Sequence, residues 1–598
     1  MRFALLAAML LAGTAQAQTA APPPVDYFVR LDDAVHHRAR ITATWRDLPA
    51  GPVRVRMARS SPGRYAIHEF AKNVYDVAAT DGAGRPVALS RTDPYGWTIP
   101  SHDGTVAVTY TLFGDLADGT YAQIDASHAH LNAPATFLFA EGQDARPARV
   151  RFTGQDPSWK VATQLKPEAD GSWSAPSFQY LMDSPIEVSA HRLRQWALPG
   201  AGGTIRIAFH ADVTDAEADA FAAKARRIVA AQVALFGEPA RYDFGTYTFL
   251  ADYLPWVSGD GMEHRNSTVI SGSGKPSLST LSHEFFHSWN VERLRPRELE
   301  PFDFTRANPT PSLWFAEGFT NYYGPLAIRR SGVGTLDEWV TGTSRTLDHV
   351  LNSSARAHGG PQEMSLRAPF ADAAVSIDPA APHVFLSYYP YGQIIALALD
   401  LTLRERFKGV TLDDLMRHLW QSHGRTERPY SNDDLRLALG AVTKDQAFAD
   451  AFFADTIAAS RLPDLVPLLA QAGLVLRRAA PQAGWIGETG FEDSADGPRV
   501  AAYPAPGTPL YRAGLDKGDR ILAVDGGPAG SAGALAARVA ALAPGGTIRL
   551  RFAGRGAERE ATVTATASPQ WELVTLEATG AKPSLRQRRF RAAWLGEP

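Results

Sequence analysis

Apolar and polar positions alternate in short runs through the first third of the chain. "RARITATW" (38–45), "VRVRMA" (53–58), "TVAVTYTLFG" (105–114) and "ARVRFT" (148–153) place apolar side chains at nearly every second position, and Gly, Pro and Asp separate the runs. A period of two marks half-buried strands, so an all-β, sandwich-like N-terminal domain is predicted over 24–190. The pattern then mixes. Strand "TIRIAFHA" (204–211) precedes a helix opened by the capping box Thr214-Asp215-Ala216-Glu217, and strand "TYTFLADY" (246–253) follows. From about 278 to 475 helical spacing dominates, as in "GQIIALALDLTLRERF" and "NDDLRLALGAV", apart from an Ala/Pro/Ser-rich loop near 356–387. A strand-rich half leading into a helical half predicts an α+β domain over 200–475 with a cleft between its halves. Over 480–568, short strands such as "TIRLRFAG" (547–554) and "EREATVTA" (558–565) surround the helix "SAGALAARVAAL", and 569–598 is left as a C-terminal tail.

At 598 residues the chain exceeds what one core serves, and about three or four domains are expected. A net charge of -3 gives no electrostatic case for nucleic acid or an anionic membrane as partner. The chain opens "MRFALLAAMLLAGTAQAQ", with Arg2, an apolar run from Phe3 to Leu11 and the small-residue site Ala15-Gln16-Ala17. That layout is a cleaved secretory signal over 1–17, and it predicts export to the periplasm or the medium. No other segment is long and apolar enough to span a membrane. The sequence has no cysteine, which removes disulfides, thiolate ligands and cysteine nucleophiles together. Any metal must be held by His, Asp or Glu.

The stretch "LSTLSHEFFHSWNVERLRP" (278–296) carries the first sign of chemistry. Residues four apart on a helix differ by about 40° in direction, so His283 and His287 project together. Leu281, Phe285 and Trp289 share another face that can bury. A catalytic Zn²⁺ takes three protein ligands and a water, and Glu284 is placed to accept that water's proton. The five-residue pattern is short and needs a third ligand. Glu292 is expected on the same helix, out of reach of the shared metal, and Glu298 to Asp303 fall in a Pro-punctuated connector. Glu317, in the aromatic run "SLWFAEGFTNYYG", is the best third ligand, on a second amphipathic helix. Asn321 shares that helix's face and is a candidate to orient a ligand histidine. Upstream, "SGDGMEHRNSTVI" predicts a Gly-rich turn and an extended strand along the cleft edge, where a peptide can pair. Glu263 would then face substrate and bind a free α-ammonium; spacing alone also allows a solvated loop acid.

These residues have a familiar arrangement. "HEFFH" with Glu317 in "WFAEGFTNYY", the stretch "GMEHRNST" and "SYYPYGQIIALALDL" together resemble the glycyl aminopeptidase family of zinc metallopeptidases, of the thermolysin-like group whose third ligand is glutamate. "RSSPGRYAIHEFAKNV" (59–74) and "MDSPIEV" (182–188) resemble that family's β domain. The resemblance implies Zn²⁺ on His283, His287 and Glu317, with Glu284 as general base and acid. It also implies Gly261, Met262 and Glu263 as the substrate-binding strand, Glu263 anchoring the amino terminus. The resemblance further implies an oxyanion-stabilising tyrosine, which "YPYG" puts at Tyr389 with the adjacent Tyr388 as the alternative, and it puts Tyr391 where the family pattern has lysine. "PGTPLYRAGLDKGDRILAVDG" (506–526) resembles a PDZ domain, with "GWIGE" (484–488) as its carboxylate loop, which implies a peptide C-terminus as ligand or else docking against the catalytic domain. The function expected is an exported zinc aminopeptidase acting on peptides with a free N-terminus, with Gly or Ala preferred at the first position. The rival readings are a zinc endopeptidase with the same metal site and a PDZ peptide-binding protein on an inactive peptidase scaffold.

Overall fold

The computed structural model describes residues 22–200, 202–371, 381–487 and 490–596. The expected signal over 1–17, residues 372–380 of the loop near 356–387, and Glu488 of "GWIGE" lie outside them. The N-terminal region is one seven-stranded and two four-stranded sheets. The four runs read from alternation are strands Arg38–Trp45, Val53–Arg56, Val106–Phe113 and Ala148–Thr153, and their inward residues share a core with Trp45, Tyr110 and Phe137.

The next region is built on five strands: β1 (Arg192–Ala197), β2 (Thr204–Ala211), β3 (Thr246–Tyr253), β4 (Asp260–His264) and β5 (Ser267–Gly272), in the spatial order β1-β2-β3-β5-β4. β2, β3 and β5 are parallel, and the two edge strands are antiparallel to their neighbours. Helix α1 (Asp215–Phe236) crosses from β2 to β3, starts at the predicted capping box, and packs Ala225, Val229 and Phe236 into the core. The stretch "MEHRNSTVI", expected as one extended strand, is instead a hairpin that turns at Arg265 and Asn266. The N-terminal domain pins this turn. Asp183 accepts hydrogen bonds from the Arg265 amide (3.0 Å) and pairs with His264 Nδ1 (2.9 Å), and Gln164 Oε1 accepts from the Asn266 amide (2.7 Å).

The helical half holds α2 (Leu278–Phe286), α3 (Leu313–Arg330), α4 (Leu336–Asn352) and α5 (Tyr388–Arg406). α3, expected to be amphipathic, is buried on nearly every side, with only Asn321, Pro325, Ile328 and Arg330 partly exposed. It crosses α5 backbone to backbone: a Cβ on Gly318 would lie 2.3 Å from Gly392 Cα, and one on Gly392 would lie 2.1 Å from the Trp314 carbonyl. No larger residue fits that crossing, and it brings the first turn of α5 beside Glu317.

Residues 480–568 form a β-rich unit with its own core around Ile521, Leu535 and Leu550. Of the segment 569–598, assigned from sequence to a tail, the described residues 569–596 return to the helical half. Strand β6 (Leu474–Arg478) pairs antiparallel with β7 (Trp571–Thr575), and α6 (Leu585–Leu595) buries Trp594 and Leu595 in the core of the α+β region, with Trp594 Nε1 donating to Tyr322 Oη at 2.8 Å. The β-rich unit is thus inserted between two strands of the preceding domain. Among the described residues no helix is long and apolar enough to cross a membrane.

Candidate metal centre

α2 carries His283 in its last turn and ends with His287 as its C-cap. The chain then leaves the helix, so Glu292, expected on it, sits in the following turns, where it accepts from Arg295 at 2.9 Å. His287 Nδ1 donates to the Asn290 carbonyl (2.6 Å), which leaves Nε2 as the lone-pair nitrogen. Asn290 in turn donates to the Phe315 and Ala316 carbonyls, both at 3.1 Å, tying the end of α2 to α3 just before Glu317.

Three donor atoms converge as a result. His283 Nε2 and His287 Nε2 are 3.1 Å apart, and Glu317 Oε2 lies 3.4 Å from the first and 3.3 Å from the second. Donors around a tetrahedral zinc at 2.0–2.2 Å are separated by roughly 3.3–3.6 Å. Glu317 Oε2 is buried and has no hydrogen-bond partner among the described residues, while Oε1 accepts from the Tyr65 hydroxyl. An orphaned carboxylate oxygen facing two imidazoles fits a divalent cation of the zinc class. The ionisation pattern agrees. Burial lowers His283, opposed by Glu317 and by hydrogen bonding to the Asn321 side chain. Burial also works against a charged His287, but Glu317 and Glu263 outweigh it and raise this group to about 10. Burial disfavours the Glu317 carboxylate, yet the two imidazoles hold it well below the usual range. A cation replaces the proton that such a set otherwise holds.

Glu284 lies beside this centre, its ionised form disfavoured by burial and by the nearby Glu263 and Glu317. β4 supplies the opposite wall. A Cβ at Gly261 would fall 2.1 Å from Glu284 Oε1, so glycine is what leaves room for the carboxylate. Strand alternation puts Gly261 and Glu263 on the cleft side. Met262, grouped with them as substrate-binding, faces away: its side chain is buried with Ala162, Ala208, Leu250 and Val269 between the domains. Glu263 is 5 % exposed, and burial, with Glu317 and Glu292 adding, raises it to about 8.

The third wall comes from the N-terminal domain. Gly63 adopts φ +74°, and a Cβ there would lie 2.7 Å from Met262 Cγ and 2.9 Å from Glu263 Oε2. Arg64 donates to Thr120 Oγ1 (2.6 Å), reaches the Gly261 carbonyl (3.4 Å) and pairs with Asp260. Arg64 and Tyr65 are absent from the site read off the sequence. They lie in "RSSPGRY", a stretch that signalled the family resemblance without marking its polar residues as part of the centre. Of the adjacent tyrosines, Tyr388 is fully buried against Tyr65, ring centroids 6.0 Å apart. Tyr389 lines the cleft with its ring 6.1 Å from that of His283, and Tyr391 points into the core. The cleft, of about 330 Å³, is also lined by Asn321.

Tyr65→Phe removes only the donor to Glu317 Oε1. Loss of such a supporting hydrogen bond lowers metal affinity by roughly 10–100-fold, which competition with a chromophoric chelator measures; unchanged affinity would remove the supporting role.

Two family models match the chain: the peptidase M61 N-terminal domain over 26–190 and M61 glycyl aminopeptidase over 277–395. No curated protein sequence matches. Among solved structures, an aminopeptidase N family protein from Idiomarina loihiensis superposes with a TM-score of 0.82 at 22% identity, covering 96% of this chain and 100% of that one. An M1 zinc metallopeptidase from Deinococcus radiodurans gives a TM-score of 0.43 at 15% identity over 74% of this chain and 95% of its own. The first comparison establishes a shared fold across nearly the whole length.

Proposed function

We propose that this chain is a zinc-dependent aminopeptidase. The observation that carries the reading is the position of Glu263: a buried acid on an edge strand, within 4.8 Å of the donor atoms of Glu284 and His287, and closed off behind by the Gly63 loop. A peptide running past Glu263 meets that loop, whereas a peptide beginning there presents its ammonium to a carboxylate. The family model matched over 277–395 and the three converging donors support the same reading.

His283, His287 and Glu317 would hold Zn²⁺, which when bound acidifies a water and polarises the scissile carbonyl. Glu284 takes the proton of the attacking water and delivers it to the departing amine. Tyr389 donates a hydrogen bond to the oxygen that gains charge in the transition state. Glu263 fixes the chain end, and the edge strand β4 aligns the first peptide bond. Asn321 orients His283. Export rests on the signal layout of residues 1–17, and preference for Gly or Ala on the family resemblance. The 480–568 unit, resembling a PDZ domain, is assigned a peptide C-terminus as its ligand on that resemblance.

Digestion of an unblocked decapeptide followed by mass spectrometry tests the reading. Successive loss of single residues from the amino end is expected. Internal cleavage, equally fast on the acetylated peptide, would make the chain an endopeptidase.

A further inference from the structure

A second cluster of imidazoles and carboxylates lies where the N-terminal domain meets the sheet of the catalytic domain. Strand His128–Leu131 runs antiparallel to Ile186–Ser189, with His130 opposite Glu187. Residues two apart share a face of a strand, so His128, His130 and Glu187 project together. Across the interface, β2 and β3 set His210 beside Asp252, two residues beyond the interface pair Ala208 and Leu250. The rings of His128 and His210 stack with centroids 4.2 Å apart.

The polar atoms here are close but unsatisfied. Glu187 Oε1 is 3.4 Å from His128 Nδ1 and 3.8 Å from His210 Nδ1, and Oε2 is 3.5 Å from His130 Nδ1. Neither carboxylate oxygen, nor any ring nitrogen of His128 or His130, has a hydrogen-bond partner among the described residues, although all three residues are 2 % exposed or less. Buried polar atoms are rarely left in this state, because each forfeits its hydration. His128, Glu187 and His210 each offer a donor atom within 4.8 Å of the other two. Asp252 Oδ1, 2.8 Å from His210 Nδ1, takes the N–H of that nitrogen, which fixes the tautomer and leaves Nε2 as the nitrogen through which His210 would ligate.

We propose that His128, Glu187 and His210 form a second divalent-metal site, separate from the cleft, that staples the two domains together. Two imidazoles and a carboxylate favour a zinc-class ion over calcium or magnesium, which take oxygen ligands. Two ligands come from the N-terminal domain and one from the catalytic domain. The ion therefore stabilises the assembled pair, and with it the Gly63–Tyr65 wall of the cleft. Without an ion, the same residues form a buried ion pair of protonated His128 with Glu187, and that is the competing outcome.

The test is metal content by inductively coupled plasma mass spectrometry on the full chain, loaded with Zn²⁺ and dialysed to remove loosely held ions. Two equivalents are expected in the wild type, one after His283→Ala with His287→Ala, and none when Glu187→Gln is added to that pair. Zn²⁺ should also raise the melting temperature of the His283→Ala, His287→Ala protein, and not that of its Glu187→Gln derivative. One equivalent in the wild type, with none and no thermal response in the double variant, would overturn the proposal in favour of the ion pair. If Glu187→Gln does not fold, the count in the double variant decides alone.

Discussion

Glu284→Gln should lower turnover of a free-amine substrate by roughly 10²–10⁴-fold, the usual contribution of a positioned general base, and leave the metal of the cleft in place. The amide matches the carboxylate in shape, so the tight space against Gly261 is preserved, but it cannot accept a proton. The paired readout matters because the cleft offers two groupings of donors. One is His283, His287 and Glu317; the other is Glu263, Glu284 and His287. The first has the orphaned Glu317 oxygen, whose carboxylate the two imidazoles hold ionised, whereas in the second both acids are pushed towards their neutral forms. Retained metal with lost turnover fits the first grouping. Lost metal would place Glu284 among the ligands, and retained turnover would end its role as base.

The second large effect is expected at Glu263. Removing one partner of a buried charge pair costs about 2–5 kcal/mol, so Glu263→Ala should reduce kcat/KM on free-amine substrates by roughly 30-fold to several thousand-fold. The N-acetylated substrate, which has no ammonium to lose, should stay unhydrolysed by wild type and variant alike. Metal content should stay constant. Kinetics on the free amine that do not move would take the anchor role from Glu263 and with it the case for an exopeptidase.

How much of this centre was legible in the sequence follows from the distance over which each contact acts. His283, Glu284 and His287 are fixed by helical spacing, a local property, and Glu317 could be picked out because it is an acid inside an aromatic run. Tyr65 reaches Glu317 across 252 positions, and no local pattern reports such a contact. The turn at Arg265 and Asn266 carries no glycine or proline, and its pins, Asp183 and Gln164, lie far upstream. Met262 is a different case: period-two alternation alone separates it from Gly261 and Glu263 once the strand is known. α6 hid because four of the eleven residues in "LRQRRFRAAWL" are arginines that interrupt its apolar positions, and only Trp594 and Leu595 are buried. The four N-terminal strands read from alternation were legible because one face of each is at least partly exposed, whereas strands buried on both faces, such as His128–Leu131 and Ile186–Ser189, carry no alternation of burial, and α3, covered on both sides, lacks the polar stripe expected of it.

The central claim is tested most directly by hydrolysis of Gly-p-nitroanilide and its N-acetylated form by the purified chain, before chelation, after it, and after Zn²⁺ is returned. The account predicts turnover of the free amine alone, abolished by chelation and restored by the metal. Equal turnover of the acetylated substrate, or activity that survives complete removal of the metal, would contradict it.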